Sequence, residues 1–277
     1  NPQHSPWRSP ENRKIKFGAF FRRSMAEGAD FVATGHYVRL RQNARCSLHQ
    51  AQDGNKDQSY FLWTLTQDQL RHCLFPIGDY TKPEVRMMAR MFGLPTAEKP
   101  DSQGICFIGE IDLRGFLKKY IPGRRGAVVT TGGKVIGKHE GTALYTIGQR
   151  RGMSIGGGIP YYVAQKNKRT NTLVVAEGPY DEKLFAQKIA VRDVHWISGV
   201  EPMLPLKCTA RIRYRQPLQK CVITRGNGGT LMILFDEPQR AATPGQSAVF
   251  YSGDSLDSID GREILGGGVI GKIQAAC

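Results

Sequence analysis

The apolar positions of the first hundred residues follow a helical period and then a strand period. One helical stripe, which ends at Gly28, is formed by Phe17, Phe20, Phe21, Ser24 and Met25. The next apolar run, residues 31–34, predicts a short buried strand. Ligands in open α/β sheets bind beyond the carboxyl ends of strands, so residues 35–37 are a candidate ligand loop.

Two capping boxes predict further helices. Thr66 is followed by Gln69, and Thr81 by Glu84, each with the spacing at which the two residues satisfy each other's backbone amides. The second helix should bury a stripe formed by Val85, Met88, Ala89 and Phe92. Residues 1–109 are therefore expected to form the remainder of an α/β domain.

The pattern changes after residue 109. A helical stripe at Leu113, Phe116, Leu117 and Tyr120 is followed by short strands that glycines interrupt. Hairpins are predicted for 127–131 with 134–137, around Gly132 and Gly133, and for 161–165 with 172–176. Residues 110–178 thus predict a small central domain, and the strands and turns of 179–277 predict an antiparallel β-barrel.

The charge is strongly basic and unevenly distributed. The chain of 277 residues has 39 Lys and Arg against 24 Asp and Glu, a formal net charge of +15. Residues 1–178 have 27 basic and 14 acidic residues (+13), whereas residues 179–277 have 12 and 10 (+2). A polyanion is the leading class of partner, and a basic surface that binds nothing specific is the alternative.

Several classes of protein are disfavoured. The six cysteines form no C-x-x-C pair and the six histidines no paired ligand spacing, so we predict no structural metal. No apolar run approaches the roughly 20 residues of a membrane span, and the start of the chain is polar and proline-rich. We expect a soluble, intracellular monomer that does not contact a membrane.

Three segments could carry chemistry. Cys106 follows Gly104 between apolar neighbours, and it is either an inert core thiol or a reactive one. Residues 56–61 (KDQSYF) combine charge, amide and aromatic groups, which suits either RNA or a solvated loop. The third is a predicted strand with Arg211, Arg213 and Arg215, whose guanidinium groups would lie on one face because the residues alternate. Three aligned cations favour binding of a phosphate backbone over an ordinary exposed strand face.

A fourth segment is basic and rich in glycine. Residues 148–152 (GQRRG) precede Gly156 and two further glycines, so the backbone there could approach an anion closely. Neither a Walker lysine motif nor G-x-G-x-x-G after a strand is present, so these residues show no nucleotide cradle.

These residues resemble the tRNA-specific 2-thiouridylases of bacteria and mitochondria. The resemblance extends in order along nearly the whole chain and rests on these segments: 33–37 (ATGHY), 56–62 (KDQSYFL), 75–78 (FPIG), 101–109, 145–150 (YTIGQR), 213–216 (RYRQ) and 243–251. It implies a PP-loop-type α/β nucleotide-binding domain, a central domain and a C-terminal β-barrel, in agreement with the patterns above.

The resemblance also implies a reaction. ATP, with Mg²⁺, would adenylate the C2 oxygen of the wobble uridine at tRNA position 34, and a protein persulfide would then deliver sulfur to C2. Cys106 would carry the persulfide, and a second cysteine would release the sulfur. A relay protein or cysteine desulfurase would donate it, tRNAs for Lys, Glu and Gln would accept it, and no tightly bound cofactor is expected. The location would be cytoplasmic, or mitochondrial in a eukaryote.

Binding residues follow by the same matching. Gly35 would lie against the nucleotide and His36 near the tRNA. The other tRNA contacts implied are Lys56, Asp57 and Gln58 in the α/β domain and Arg213, Tyr214 and Gln246 in the barrel.

Two departures from the family pattern matter. The family's serine- and glycine-rich nucleotide loop has no counterpart here, and Glu11 stands where the first cysteine is expected. A carboxylate cannot form a disulfide, so truncation or assembly error, an inactive copy, or a substitute thiol such as Cys46 are the explanations, in that order. The competing hypotheses are a degenerate paralogue that only binds tRNA and, more weakly, a barrel-containing translation or RNA-chaperone factor.

Overall fold

The computed structural model describes residues 12–99, 113–121, 123–153, 155–156, 158–253 and 261–275. A π-helical segment, Asn12–Phe20, leads into α1 (Phe21–Ala26); the later helices are α2 (Gln67–Arg71), α3 (Lys82–Met91) and α4 (Leu113–Tyr120). The strands are β1 (Val32–Ala33), β2 (Arg39–Gln42), β3 (Cys46–His49), β4 (Cys73–Leu74), β5 (Gly126–Thr130), β6 (Val135–His139), β7 (Tyr161–Asn167), β8 (Thr172–Glu177), β9 (Phe185–Trp196), β10 (Leu206–Arg211), β11 (Gln219–Arg225), β12 (Leu231–Arg240), β13 (Ser247–Tyr251) and β14 (Ile264–Ala275).

The first part of the chain has the predicted α/β character. Helical residues 12–26 precede a turn at Gly28, whose φ of 89° suits glycine. β1 then pairs with β4 in parallel, with Val32 opposite Cys73, and the β2–β3 hairpin lies between them in sequence. The predicted strand 31–34 is confirmed at its centre, but its predicted burial is wrong, because Val32 alone of these four residues is buried and Phe31 is 51% exposed.

The first capping box is confirmed in full: Gln69 accepts from the Thr66 amide at 3.0 Å, and the Gln69 amide donates to the Thr66 hydroxyl at 3.3 Å. At the start of α3, Glu84 accepts from the Thr81 amide at 2.6 Å. The predicted buried stripe on α3 is wrong, since none of that helix is buried and Phe92 is 74% exposed. Periodicity identifies a face that can be buried, but the parallel sheet in the described residues has only two strands.

The central part is a four-stranded sheet in the order β6-β5-β8-β7. The two predicted hairpins are confirmed, with Val128 opposite Gly137 and Val163 opposite Val175. β5 and β8 run in parallel. Apolar side chains from all this region form one core: Val128, Tyr145, Met153, Val163, Leu173 and Val175.

Six strands at the C-terminal end form a closed antiparallel barrel in the order β10-β11-β12-β9-β14-β13. Closure removes the exposed edges of the sheet and surrounds an apolar core that includes Ile189, Ile233 and Phe250. The predicted architecture, an α/β domain, a central domain and a barrel, is confirmed. Of the helices described, none has the length and apolarity to cross a bilayer.

Candidate functional site

The loop after β1 has an open glycine and a firmly held histidine. Gly35 is exposed, and a Cβ built on it would meet nothing within 4 Å, so a ligand could approach its backbone. His36 is buried, with Nδ1 2.9 Å from the Thr34 hydroxyl. Its ring lies 5.8 Å from that of Phe17 and 6.3 Å from that of Phe75.

Gln58 supports this loop from a distant point in the sequence. Its backbone amide donates to the Tyr37 carbonyl at 2.9 Å, and its side-chain oxygen Oε1 accepts from the Tyr37 backbone amide at 3.0 Å. Lys56, which is half-buried, begins the same segment. The structure therefore brings together the loop 35–37 and the segment 56–58, which we expected to contact nucleotide and tRNA.

Asp57 is buried at the junction between the α/β part and the barrel. Its side chain accepts from the Ala51 amide at 3.2 Å and from the Ser59 hydroxyl at 2.9 Å. Oδ2 also lies 3.0 Å from the Arg211 guanidinium, at the end of β10. The Asp57 charge is thus neutralised within the protein, and its contact with tRNA stays a prediction.

The residues that follow Asp57 pack against the barrel. The Tyr60 hydroxyl donates to the Ser247 carbonyl at 2.7 Å, and Trp63 Nε1 donates to the Ser247 hydroxyl at 3.1 Å. The Ser59 and Tyr251 hydroxyl oxygens are 3.0 Å apart. Burial raises the pKa of both Tyr60 and Tyr251, so both phenols stay protonated at neutral pH. This segment is therefore an interdomain contact as well as a candidate RNA surface.

The predicted strand of three aligned arginines is wrong. β10 ends at Arg211, and the chain then turns, with Arg215 in the left-handed region at φ 64°. Alternation along a strand cannot align side chains beyond the point where the strand ends. The three guanidinium groups consequently have different surroundings.

Arg213 is bound to neighbouring backbone. Its Nη2 donates to the carbonyls of Ile147 at 2.7 Å and Ala241 at 2.8 Å, and to the Thr243 hydroxyl at 3.2 Å. Burial lowers the pKa of Arg213, although an arginine remains charged at any ordinary pH. Contact of Arg213 with tRNA stays a prediction.

The neighbours of Arg213 complete the barrel side of the site. Tyr214 is 9% exposed, and its ring lies 4.5 Å from that of Phe61. Arg215 is exposed, with its guanidinium 5.4 Å from the Tyr214 ring. Gln246 has a half-buried side chain at the start of β13, and its backbone is fixed by bonds to Thr243 and Ile270.

The glycine-rich segment of the central domain borders a cavity of about 330 Å³. Arg150 contributes a charged side chain to its lining, beside apolar side chains that include Met153, Ile155 and Ile159. The predicted anion loop thus borders a hollow with both polar and apolar walls. Among the residues that the structure describes, no cluster of His, Cys, Asp and Glu side chains could hold a metal ion.

Cys106, the predicted persulfide carrier, lies outside the described residues. Cys46 is only 4% exposed within the core, which argues against it as the substitute thiol. Burial raises the pKa of nearby Cys73 to about 12, so that thiol is a poor nucleophile. Sequence reasoning missed the pairs Asp57–Arg211 and Gln58–Tyr37, because neither pair has any local spacing that could indicate it.

Comparison with known proteins gives consistent matches along the chain. Residues 9–110 match the model described as tRNA methyl transferase HUP domain, and 114–177 the tRNA methyl transferase PRC-barrel domain. Residues 186–270 match the model described as Aminomethyltransferase beta-barrel domain. Although these descriptions refer to methyl transfer, the similar full-length proteins have a different name.

Three similar bacterial proteins have the name tRNA-specific 2-thiouridylase MnmA. That of Alkalilimnicola ehrlichii is 46% identical over 267 residues, 94% of this chain and 70% of that protein. The Pasteurella multocida protein is also 46% identical, over 94% of this chain and 67% of its own length. The Geobacillus thermodenitrificans protein is 46% identical as well, over 95% of this chain and 69% of its own length. Since identity at this level extends through all three domains, the chain belongs to the tRNA-specific 2-thiouridylase family.

Proposed function

We propose that this protein is a tRNA-uridine 2-sulfurtransferase that thiolates the wobble uridine at position 34. The observation that carries the proposal is 46% identity over 94% of the chain with a protein named tRNA-specific 2-thiouridylase. The concentration of positive charge in residues 1–178 supports a polyanionic substrate. The proposed domains are 1–109, 110–178 and 179–277, which the three matched ranges support.

ATP is the proposed co-substrate, with Mg²⁺, and it would supply an adenylate leaving group at C2. The exposed backbone of Gly35 suits close approach of a nucleotide, because nothing lies within 4 Å of where a Cβ would be. The proposed tRNA contacts nearby are His36, Lys56 and Gln58, with Tyr214 and Gln246 on the barrel. The family pattern also assigns Asp57 and Arg213 to this surface, and because their charged groups already contact other residues of the chain, the part proposed for them is to shape the surface.

The role proposed for Cys106 is to carry sulfur. The terminal sulfur of its persulfide would form the bond to C2 while the bond from C2 to the activated oxygen breaks, and its electron pair leaves with AMP. A second thiol would then attack Cys106 Sγ and form a disulfide, while the S–S bond to the transferred sulfur breaks and its electron pair stays on the sulfur at C2. A thiol reductant would return the disulfide to two thiols, and a cysteine desulfurase or relay protein would then transfer a new persulfide sulfur to Cys106. The substrates would be tRNAs for Lys, Glu and Gln.

A second candidate is a paralogue that binds tRNA without modifying it. Glu11 favours it, since a carboxylate stands where the family has its first cysteine. Both candidates require tRNA binding, but only the enzyme consumes ATP during sulfur transfer. Thiolation therefore separates them.

The test uses the complete natural gene product with unmodified tRNA, ATP, Mg²⁺, a cysteine desulfurase that supplies persulfide sulfur from radiolabelled cysteine, and a thiol reductant. We expect ATP-dependent label in 2-thiouridine, its loss in Cys106→Ser, and its retention in Cys46→Ala, the buried control. Salt-sensitive tRNA binding without any label would support the binding paralogue. Full activity of Cys106→Ser would remove Cys106 from the mechanism.

A further inference from the structure

The end of β10 lies where all three parts of the chain meet. Arg211 makes an ion pair of 3.0 Å with Asp57 of the α/β part. Two residues later, Arg213 donates at 2.7 Å to the carbonyl of Ile147 in the central part. The same Nη2 also binds Ala241 and Thr243 of the barrel. A segment of three residues therefore contacts both other domains.

The contact with the α/β part is closely packed. The Asp57 side chain is 1% exposed and that of Arg211 is 12% exposed, so water screens this pair little. The Arg211 guanidinium also lies 5.3 Å from the centre of the Tyr251 ring. Nearby, a Cβ on Gly267 would come within 2.9 Å of the Trp63 ring, which shows how closely the two surfaces approach.

The contact with the central part is equally specific. Gly148 has a φ of 81°, and a Cβ there would lie 2.6 Å from the Cβ of Ala241. Ala241 itself has a φ of 56°, a conformation that alanine rarely adopts. Arg240 adds a second link, with its guanidinium 4.8 Å from the ring of Tyr162 in the central part.

We propose that Arg211 and Arg213 are positioning residues that hold the α/β and central domains in a fixed orientation around the barrel. The proposed tRNA contacts lie at 36 and 56–58 in the α/β part and at 214 and 246 in the barrel, and the basic loop 148–152 of the central part, which could approach an anion, would add a third site. One rigid tRNA can meet all of them only if the domains keep their relative positions. This inference rests on the proposed function for its consequence, tRNA binding, but not for the contacts themselves.

The alternative for Arg213 is direct contact with a phosphate. Nη2 of Arg213 has two N–H groups, and three acceptors in the protein already surround it. Swinging this group toward a phosphate would take its donor away from the Ile147 carbonyl, whereas the Ala241 carbonyl would keep the bond from the Thr243 hydroxyl. Arg215, whose side chain is exposed, is better placed for an anion.

Salt dependence distinguishes the two roles, because each phosphate contact contributes about 0.7–0.9 to the slope of log K against log salt. The experiment measures binding of unmodified tRNA to the full chain across a KCl series, by fluorescence anisotropy. For Arg213→Ala we expect affinity to fall by between about fivefold and a hundredfold, the range for coupled sites, with the slope unchanged. Arg215→Ala should reduce the slope by about one phosphate contact.

Two further variants make the result specific. Arg213→Lys keeps the charge but lacks the planar fork, so we expect it to behave like Arg213→Ala. The control is Arg225→Ala, since Arg225 is an exposed residue of β11 whose ion pair is with Glu201. The positioning role is wrong if Arg213→Lys binds tRNA as tightly as the protein without substitutions. It is also wrong if Arg213→Ala lowers the slope of log K against log salt by the amount of one phosphate contact.

A second readout needs no RNA. The Gly148 amide donates to Val163 and the Ala241 amide to Leu184, so both should be protected from hydrogen exchange. We expect Arg213→Ala to accelerate exchange at both amides at least about tenfold, as local opening becomes easier, whereas Arg225→Ala should not. Unchanged exchange would overturn the inference. If the unmodified chain binds no tRNA, the proposed function fails while this exchange result still decides the inference.

Discussion

Replacement of Asp57 by alanine should weaken the junction between the α/β part and the barrel. The substitution leaves the Arg211 guanidinium, 12% exposed, without its anion, and removes the acceptor for the Ala51 amide and the Ser59 hydroxyl. Breaking one side of a buried ion pair costs about 3–5 kcal/mol of unfolding free energy. The Ser59 amide and the Gln50 side-chain amide also lose an acceptor. Because these four donors can recover part of their loss by local movement, we expect a total near the middle of that range, about 4 kcal/mol.

Urea unfolding followed by tryptophan fluorescence measures this effect, since Trp63 donates to Ser247 across the same junction. The matched control is Asp79→Asn, because Asp79 is 75% exposed and 4.0 Å from Arg39. An exposed pair contributes about 0–1 kcal/mol, so the control should unfold almost as the unmodified protein does. A loss below about 1 kcal/mol for Asp57→Ala would refute the assignment of Asp57 as a buried interdomain anion.

Three other predictions concern thiols, pH and backbone conformation. Cys46, Cys73, Cys208 and Cys221, all under 5% exposed, should resist a disulfide reagent in the native protein and react in urea; rapid native labelling of any of them would contradict the packing. Burial and Arg41 lower the pKa of His49, so stability that is present above its ordinary pKa of 6.5 should be lost as pH falls through the lowered value. We expect His49→Gln to flatten the dependence of Tm on pH between pH 7 and 5, and an unchanged pH profile would disprove this. Gly148→Ala should cost about 2–4 kcal/mol of unfolding free energy from positive φ and overlap with Ala241, whereas Gly156→Ala, with open space, should cost much less; equal costs would contradict the close approach.

Local patterns predicted the elements that depend on neighbours in sequence. The capping box at Thr66, the turn at Gly133 and the hairpin β7–β8 each need only a few adjacent residues, and all three are present. The candidate strands and turn residues of 179–277 likewise predicted a barrel, and β9 to β14 close into one.

Contacts between distant segments could not be predicted in this way. Asp57 was expected to contact RNA, but Arg211 lies 154 residues further along the chain and neutralises it. Cys208 and Cys221 are opposite each other on β10 and β11 with sulfurs 3.7 Å apart, a register that no cysteine spacing indicates. The arginine alternation failed for a related reason, because the sequence does not show that β10 ends at Arg211.

The arrangement of the domains gives the family motifs two roles. Residues 56–63 bond to the loop that contains Gly35, through Gln58 and Tyr37, and they also pack on the barrel. In residues 145–148, Tyr145 belongs to the core of the central part and the Ile147 carbonyl accepts from Arg213. A motif can thus follow the family pattern because it positions a surface as well as because it contacts substrate. The hydrogen-exchange and salt-slope measurements separate these roles for Arg213.

The central claim is that this protein thiolates tRNA through Cys106. Its most direct test is mass spectrometry of nucleosides from tRNA of cells that lack the gene and are complemented with the natural gene or with Cys106→Ser. The account predicts 2-thiouridine at position 34 with the natural gene and none with the variant, at equal protein levels. Equal 2-thiouridine in both, or none in either, would contradict it.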